Sequence, residues 1–437
     1  MSPVEIGTYG IIALILLIYI GMPIGVGMLL VSFTGVAMIR SEGVATRMIG
    51  AVANDSLREY LFAVVPLFVL MGLLVTVSGV GKDTFDVFER LLKRVTAGLG
   101  IATVFANAVF ASITGISIAS ATVFSRVAVP EMTRHGYRKQ FAAGVVAGSS
   151  VLGMMIPPSL LMIVYAVLAE ESVGRMFLAG IGPGLVLALM FSATIILLAR
   201  TRRGFVFDEA GDTATYEHIS LGAVLHKSIP ILSLMTLVLG GLYGGFFNPT
   251  EAGAAGAFGA LVIALLRKSL GSGVLWRLLV ETGQITVSVL ILIMAATFFS
   301  RMLALSGVPR ELAEFFLSGP VGPMGFLVLY LLIIIALGCL IDSISIMLIM
   351  LPIALPVAEA AGFDLIWFGV LTVVSVEIGL LTPPFGLSVY TIKSAMDDPD
   401  LRVGDIFVGA LPFVVAMLVT LALIIAVPSI ATWLPRL

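Results

Sequence analysis

The chain has 437 residues, of which 59% are hydrophobic and only 11% charged, and its mean hydropathy is +1.15. Soluble domains carry about a quarter charged residues, so a soluble reading is excluded, and a net charge of −2 argues against nucleic acid as a partner. The single cysteine, Cys339, rules out an intrachain disulfide framework and any multi-cysteine metal centre, and His135, His218 and His226 are scattered over polar connections.

Apolar runs near the roughly 20-residue bilayer length recur from end to end, at 9–39, 60–80, 97–133, 140–168, 173–199, 228–247, 251–266, 278–305, 322–358, 365–392 and 405–434. The chain therefore reads as an all-α polytopic membrane protein. The first run lacks a basic n-region and continues through Ile39, which marks a retained span rather than a signal peptide. As one helix it would be about 45 Å long, so it is tilted, or bent at "GMPIG".

Two stretches between spans are amphipathic. "KDTFDVFERLLKR" (82–94) places Phe85, Phe88, Leu91 and Leu92 on one helical face, and "VPRELAEFFLS" (308–318) repeats the pattern on a shorter face. Both read as interfacial helices. The run 97–133 is too long for one span and short for two. Its polar centre "SITGISIAS" (112–120) fits a re-entrant hairpin, and "IDSIS" (341–345) offers the same within 322–358.

"MMIPPS" and "LLTPPF" each place two prolines inside a span. Proline lacks the amide donor and pushes the preceding residue out of helical geometry, so the helices should unwind around 151–158 and 378–384. "NPTEA" (248–252) reads as a capping box with proline at the first helical position, which explains Glu251 without function. Asn107 is read as a packing hydrogen bond, and Arg301 as a snorkelling side chain.

The halves resemble each other. A shift of 226 residues brings Ser117 onto Ser343, Pro130 onto Pro356, Gly136 onto Gly362, Gly153 onto Gly379 and Pro157-Pro158 onto Pro383-Pro384; upstream, a shift of 228 aligns Ser78-Gly79 with Ser306-Gly307. The expected organisation is an N-terminal scaffold span (1–56), a first repeat (57–200), a cytoplasmic linker (201–227), scaffold spans (228–277) and a second repeat (278–437). "RHGYRK" (134–139) is basic where its counterpart "EAAGFD" (359–364) is acidic, and the first amphipathic helix is richer in Lys and Arg than the second. By the positive-inside rule the repeats are inverted. The acidic loop "MDDPDLR" (396–402) is the exception to that pattern.

Unwound carbonyls facing a hydroxyl-rich hairpin tip make an oxygen cage suited to a hard cation at the repeat interface. Asp342 and Glu377, ionisable at membrane depth, are candidates for holding a cation or a substrate. Each could equally be a structural anchor. There is no Walker A lysine motif, haem-attachment motif or HExxH, and the serines have no His/Asp partner at membrane depth, so nothing argues for an enzyme.

"NAVFASITGISIASA" (107–121), "FAAGVVAGSSVLGMMIPPSLLMIVYAV" (141–167), "FLAGIGPG" (177–184), "GGLYGGFFNPTEAGA" (240–254) and "EIGLLTPPFGL" (377–387) together resemble the large membrane subunit of tripartite ATP-independent periplasmic (TRAP) transporters, DctM-like. The resemblance implies an inverted-repeat, ion-transporter-type fold with two re-entrant hairpins and two broken helices, moving as an elevator in the bacterial inner membrane. It implies sodium-driven import of a small organic acid such as a dicarboxylate, with no cofactor beyond the coupling ion. A small four-span membrane subunit and a periplasmic substrate-binding protein are the implied partners. Carried over, one sodium site would use Ser112, Thr114, Ser117 and Gly153, the other Asp342, Ser343, Ser345, Gly379 and Thr382. Ser117, Ser120, Pro157, Ser159, Ser345, Glu377 and Pro384 are the candidates for contacting substrate. Ile116 stands where a small polar residue is common in the family's first hairpin. The competing reading is a stand-alone sodium- or proton-coupled carboxylate transporter of the same superfamily.

Overall fold

The computed structural model describes residues 1–208 and 220–436. Of the two alternatives for the run 9–39 the structure shows the break at "GMPIG": α1 (Pro3–Tyr19) and α2 (Ile24–Ile39) part at Gly21–Pro23, and an amphipathic α3 (Glu42–Arg58) follows. The segment expected as one N-terminal span thus holds three helices. Ser2 and Glu5 close a capping box at the start of α1.

The next helices build the first half: α4 (Val64–Val77), the arm α5 (Val80–Leu92), α6 (Gly98–Thr114), α7 (Ser117–Arg134), α8 (Lys139–Ser150), α9 (Leu152–Met155), α10 (Leu160–Leu168), α11 (Val173–Thr201) and the short α12 (Arg203–Val206). Gly79, at φ +77°, turns the chain by 66° from α4 into the arm, a conformation that a residue with a Cβ adopts only under strain. Phe85 is fully buried beneath the arm and Phe88 stacks on Phe105, but Leu91 is 63% exposed, so the apolar face is narrower than its sequence spacing suggests.

The chain reverses between α6 and α7. Phe110 packs edge-on against Phe124 at 5.6 Å, and the Thr103 hydroxyl lies 3.6 Å from the sulfur of Met132. Contacts pairing ever-earlier residues of α6 with ever-later ones of α7 require antiparallel helices, with Gly115, at φ +65°, as the tip. The α8–α10 run bends by 41° where Pro157 and Pro158 interrupt it.

Residues 209–219, the centre of the expected linker and including His218, lie outside the described residues. Helix α13 (Leu221–Met235) begins earlier than the expected span at 228 because Ser220 caps it, so Lys227 is helical rather than linker. It runs on through a π-turn and α14 (Gly241–Tyr243) to α15 (Pro249–Leu266), whose Asn248–Glu251 capping box is present as expected.

The second half places its elements in the order of the first. The long α16 (Val274–Ser306) leads through Gly307, at φ +79°, into a second arm α17 (Val308–Ser318). There follow α18 (Gly322–Gly338) and α19 (Ser343–Ala360), then α20 (Leu365–Leu380) and α21 (Leu387–Met396) with Pro383-Pro384 between them. Helix α22 (Val403–Ala426) and the short α23 (Ser429–Thr432) close the chain. Among the described residues there is no strand ladder, and six helices are long and apolar enough to cross a membrane, or eight if each bent pair is one span.

Ion pairs tie helix ends together on the basic side. Arg138 meets Asp208 at 3.2 Å, Lys139 meets Asp398 at 2.7 Å, and Lys227 and Arg267 clasp Asp83 and Asp86 of the first arm. The acidic loop 396–402 that broke the charge rule therefore sits against the basic connection 134–139. Elsewhere Arg301, expected to snorkel, pairs with Asp55 at 3.2 Å, and Arg436 with Asp364 at 3.1 Å.

Two hairpin tips seated on two broken helices

Each proline break receives the tip of the neighbouring hairpin. At the first, the amide of Leu160 donates to the carbonyl of Gly115 at 3.3 Å. At the second, the amide of Phe385 donates to the carbonyl of Cys339, also at 3.3 Å. Leu160 is the second residue after its Pro-Pro pair and Phe385 the first, so the two junctions are similar in kind but not in residue register. Both Pro-Pro bonds are cis.

The nominated glycines lie at these junctions. A Cβ on Gly153 would stand 3.3 Å from the amide nitrogen of Ser117 and 3.4 Å from the Ala111 methyl. A Cβ on Gly379 would lie 2.7 Å from the carbonyl oxygen of Ile335, against the Cα of Gly338. Glycine at both positions lets one backbone approach another closely.

At the first junction Ser112, Thr114, Ser117, Ser120, Pro157 and Ser159 are all buried. Ser112 donates to the carbonyl of Val109 at 2.7 Å and Thr114 to that of Phe110 at 3.2 Å, the ordinary back-bonding of helical hydroxyls. Ser159 caps α10, accepting from Met162 and donating to Met154. Ser120 donates to Asn107, which in turn donates to Ser149 at 2.6 Å. That network stitches the hairpin to α8, so Asn107 packs as expected and Ser120 faces the same seam. Ser149 carried no sequence signal beyond its place in an apolar run. Ser117 is different. The residue is 1% exposed and its hydroxyl has no hydrogen-bond partner among the described residues, an uncommon state for a buried polar group.

The second junction is more open. Pro383, Pro384 and Asp342 are exposed, whereas Ser343 and Ser345 are buried. Asp342 caps α19 by accepting from the amide of Ser345 at 3.1 Å, and Thr382 donates back to Ile378 at 2.7 Å. Glu377 is wholly buried, and neither carboxyl oxygen has a hydrogen-bond partner among the described residues. Thr372 and Gly379 turn towards α18, through Tyr330 and Gly338. At 100° per residue Glu377 projects from the opposite side of α20, away from the hairpin tip.

The structure thus gathers the nominated residues at two junctions, with Glu377 on the side of α20 turned away from the second. A polar cavity of about 490 Å³ lies elsewhere, between the ends of α10 and α19 and the flank of α16; Glu170, Thr297, Ser300, Arg301 and Glu359 line it. The sequence drew no attention to it, because its residues come from three distant segments.

Comparison with known proteins agrees with this architecture. Residues 11–430 match the family model described as the DctM component of the tripartite ATP-independent periplasmic transporter. The chain is 32% identical over 386 residues to the C4-dicarboxylate TRAP transporter large permease protein DctM of Pseudomonas aeruginosa, covering 87% of this chain and 88% of that one. It is 30% identical over 432 residues to the sialic acid TRAP transporter large permease protein SiaM of Vibrio cholerae, covering 96% of each. In fold it is similar to the Alcanivorax borkumensis YdaH transporter, with a TM-score of 0.55 at 15% identity over 84% of each chain. The chain therefore belongs to the DctM family of TRAP transporter large permeases: it is a multi-pass inner-membrane transport subunit and not an enzyme.

Proposed function

We propose that this subunit imports a small organic acid, driven by sodium, by carrying the two hairpins and their broken helices as one body past the remaining spans. The observation that supports this reading best is that at each Pro-Pro break a carbonyl of the neighbouring hairpin accepts an amide from within two residues of the second proline. Irregular backbone at membrane depth is tolerated where it is buried in protein or lines a cavity, and in transporters such breaks at repeat interfaces hold ions and substrate. The hairpins are read as re-entrant and the halves as inverted repeats, consistent with basic helix ends gathered on one face.

Sodium is the cargo that sets direction. The orphan hydroxyl of Ser117 and the close approach of Gly153 fit a small cation at the first junction. Ser112 and Thr114 border that position, and Asp342, Ser343, Ser345, Gly379 and Thr382 surround its counterpart. Pro384, exposed on the second break, and Ser345, buried in the first turn of α19 beneath it, are the residues assigned to substrate. A small four-span membrane subunit and a periplasmic binding protein complete the system. Relatives of similar identity are named for a C4-dicarboxylate and for sialic acid, so an acidic substrate is the shared chemistry.

Reconstitution tests this. Proteoliposomes holding this chain with its four-span partner, plus the binding protein outside, are expected to accumulate the acid only with an inward sodium gradient. Uptake by this chain alone would refute the tripartite reading. Undiminished uptake with potassium replacing sodium would refute the coupling.

A further inference from the structure

Helix α13 with its continuation, Gly222–Tyr243, is the least enclosed of the six candidate spans, with 17% of its apolar window buried inside the protein. Beside it runs a groove of about 680 Å³ shared with α15. Ile229, Leu237, Phe258 and Val262 line its length, and His226 and Arg267 stand at one end. That end is on the basic face, where Lys227 and Arg267 clasp the first arm. Lys268, next to Arg267, is exposed and forms no ion pair among the described residues.

The dimensions are those of one leaflet. From His226 to Leu237 the helix rises about 17 Å, against about 15 Å for half a hydrocarbon core. The apolar wall therefore ends near mid-bilayer, and the cationic end lies at headgroup depth. Basic pockets between membrane helices on that side attract anionic headgroups. A second protein helix would match the wall, but the exposed Lys268, with no ion pair among the described residues, beside the Asp83-paired Arg267 complements a phosphate.

We propose that the α13–α15 groove binds an anionic phospholipid of the cytoplasmic leaflet, with an acyl chain along Ile229, Phe258 and Val262 and its phosphate near His226, Arg267 and Lys268. The bound lipid would fill the space between α13 and α15 and brace the helices that hold the first arm.

The probe is phosphatidylglycerol carrying a photoreactive acyl chain, compared in nanodiscs with phosphatidylcholine of the same chain. Labelling is expected to concentrate on 225–237 and 258–266 and to favour phosphatidylglycerol. Lys268→Gln, on an exposed side chain, should cut that preference about fivefold, and Val262→Trp should exclude both lipids. Equal labelling by the two lipids would overturn the proposal. So would labelling equally strong at Val287 and Ile291, exposed on α16, or its loss when the four-span subunit is bound, which would make the groove a protein interface.

Discussion

Gly379 lies so close to Gly338 that a methyl group on Gly379 would meet the Cα of Gly338 and stand 2.7 Å from the carbonyl oxygen of Ile335. Both obstacles are backbone, which cannot rotate away. Gly379→Ala is expected to destabilise the protein by about 1–3 kcal/mol through overpacking and to lower its thermal midpoint in detergent. Gly153→Ala meets its nearest atom, the Ser117 backbone nitrogen, at 3.3 Å, a tight contact that a shift of a few tenths of an ångström relieves and that the roughly 0.5–1 kcal/mol alanine gains over glycine in a helix offsets. Its midpoint should barely move. The sodium dependence of uptake should still shift, because the new methyl stands beside Ser117. Equal midpoints for the two variants would contradict the asymmetry.

Ser117 and Ser120 separate a site hydroxyl from a packing one. Ser117→Ala removes a buried group with no partner, so stability should hold or rise slightly. The sodium concentration for half-maximal uptake should rise about tenfold, the loss of one ligand's worth of roughly 1.4 kcal/mol. Ser120→Ala leaves the Asn107 carbonyl without its donor, at a cost of about 1–3 kcal/mol. That variant should melt earlier with little change in sodium affinity. Thermal scans and sodium titrations of both variants decide it; a Ser117→Ala protein with native sodium activation would remove Ser117 from the site.

The link between Lys139 and Asp398 joins the connection before the first broken helix to the loop after the second. The hydrogen bond from Lys139 holds the Asp398 carboxyl below its ordinary value of 3.8. A carboxyl depressed on folding contributes stability that is present above its unfolded pKa and is lost as pH falls through the lower folded value. The midpoint difference between the native protein and Asp398→Asn should accordingly be flat across neutral pH and close only below about pH 4. Because the pair is partly exposed, high salt should shrink it. A difference that persists in acid would mean that Asp398 acts through packing.

How much of this was legible beforehand depends on range. The breaks at Pro157-Pro158 and Pro383-Pro384, the arms and the Asn248 capping box rest on local chemistry, which sequence carries directly. The shift that aligns the two halves of the sequence singled out Gly153 and Gly379 together, and each lies against neighbouring backbone. The division of 9–39 into two helices was left open, since glycine and proline at 21–23 permit either a bend or a stop. The clasp of Asp83 and Asp86 by Lys227 and Arg267 could not be read, because 141 or more residues separate the partners. Nor could the orientation of Glu377, which depends on which face of α20 the neighbours occupy.

The cavity bordered by α10, α16 and α19 offers the most direct test of relative motion. Ser300 lies on α16 and Pro356 on α19, and both line it. In the proposed cycle α19 travels with its hairpin while α16 stays with the fixed spans, so the distance between these residues changes at every turnover. The clasp of the first arm instead joins α5 to α13 and α15, elements that stay together throughout. With Cys339 replaced by serine, cysteines at Ser300 and Pro356 joined by a short bifunctional reagent should abolish uptake, and cleaving the linker should restore it. A matched pair replacing Asp86 on α5 and Lys227 on α13, whose side chains already meet, joined in the same way, should leave uptake intact. If the Ser300–Pro356 link were tolerated, the hairpin would not move against α16, and import would have to proceed by local gating at the two breaks.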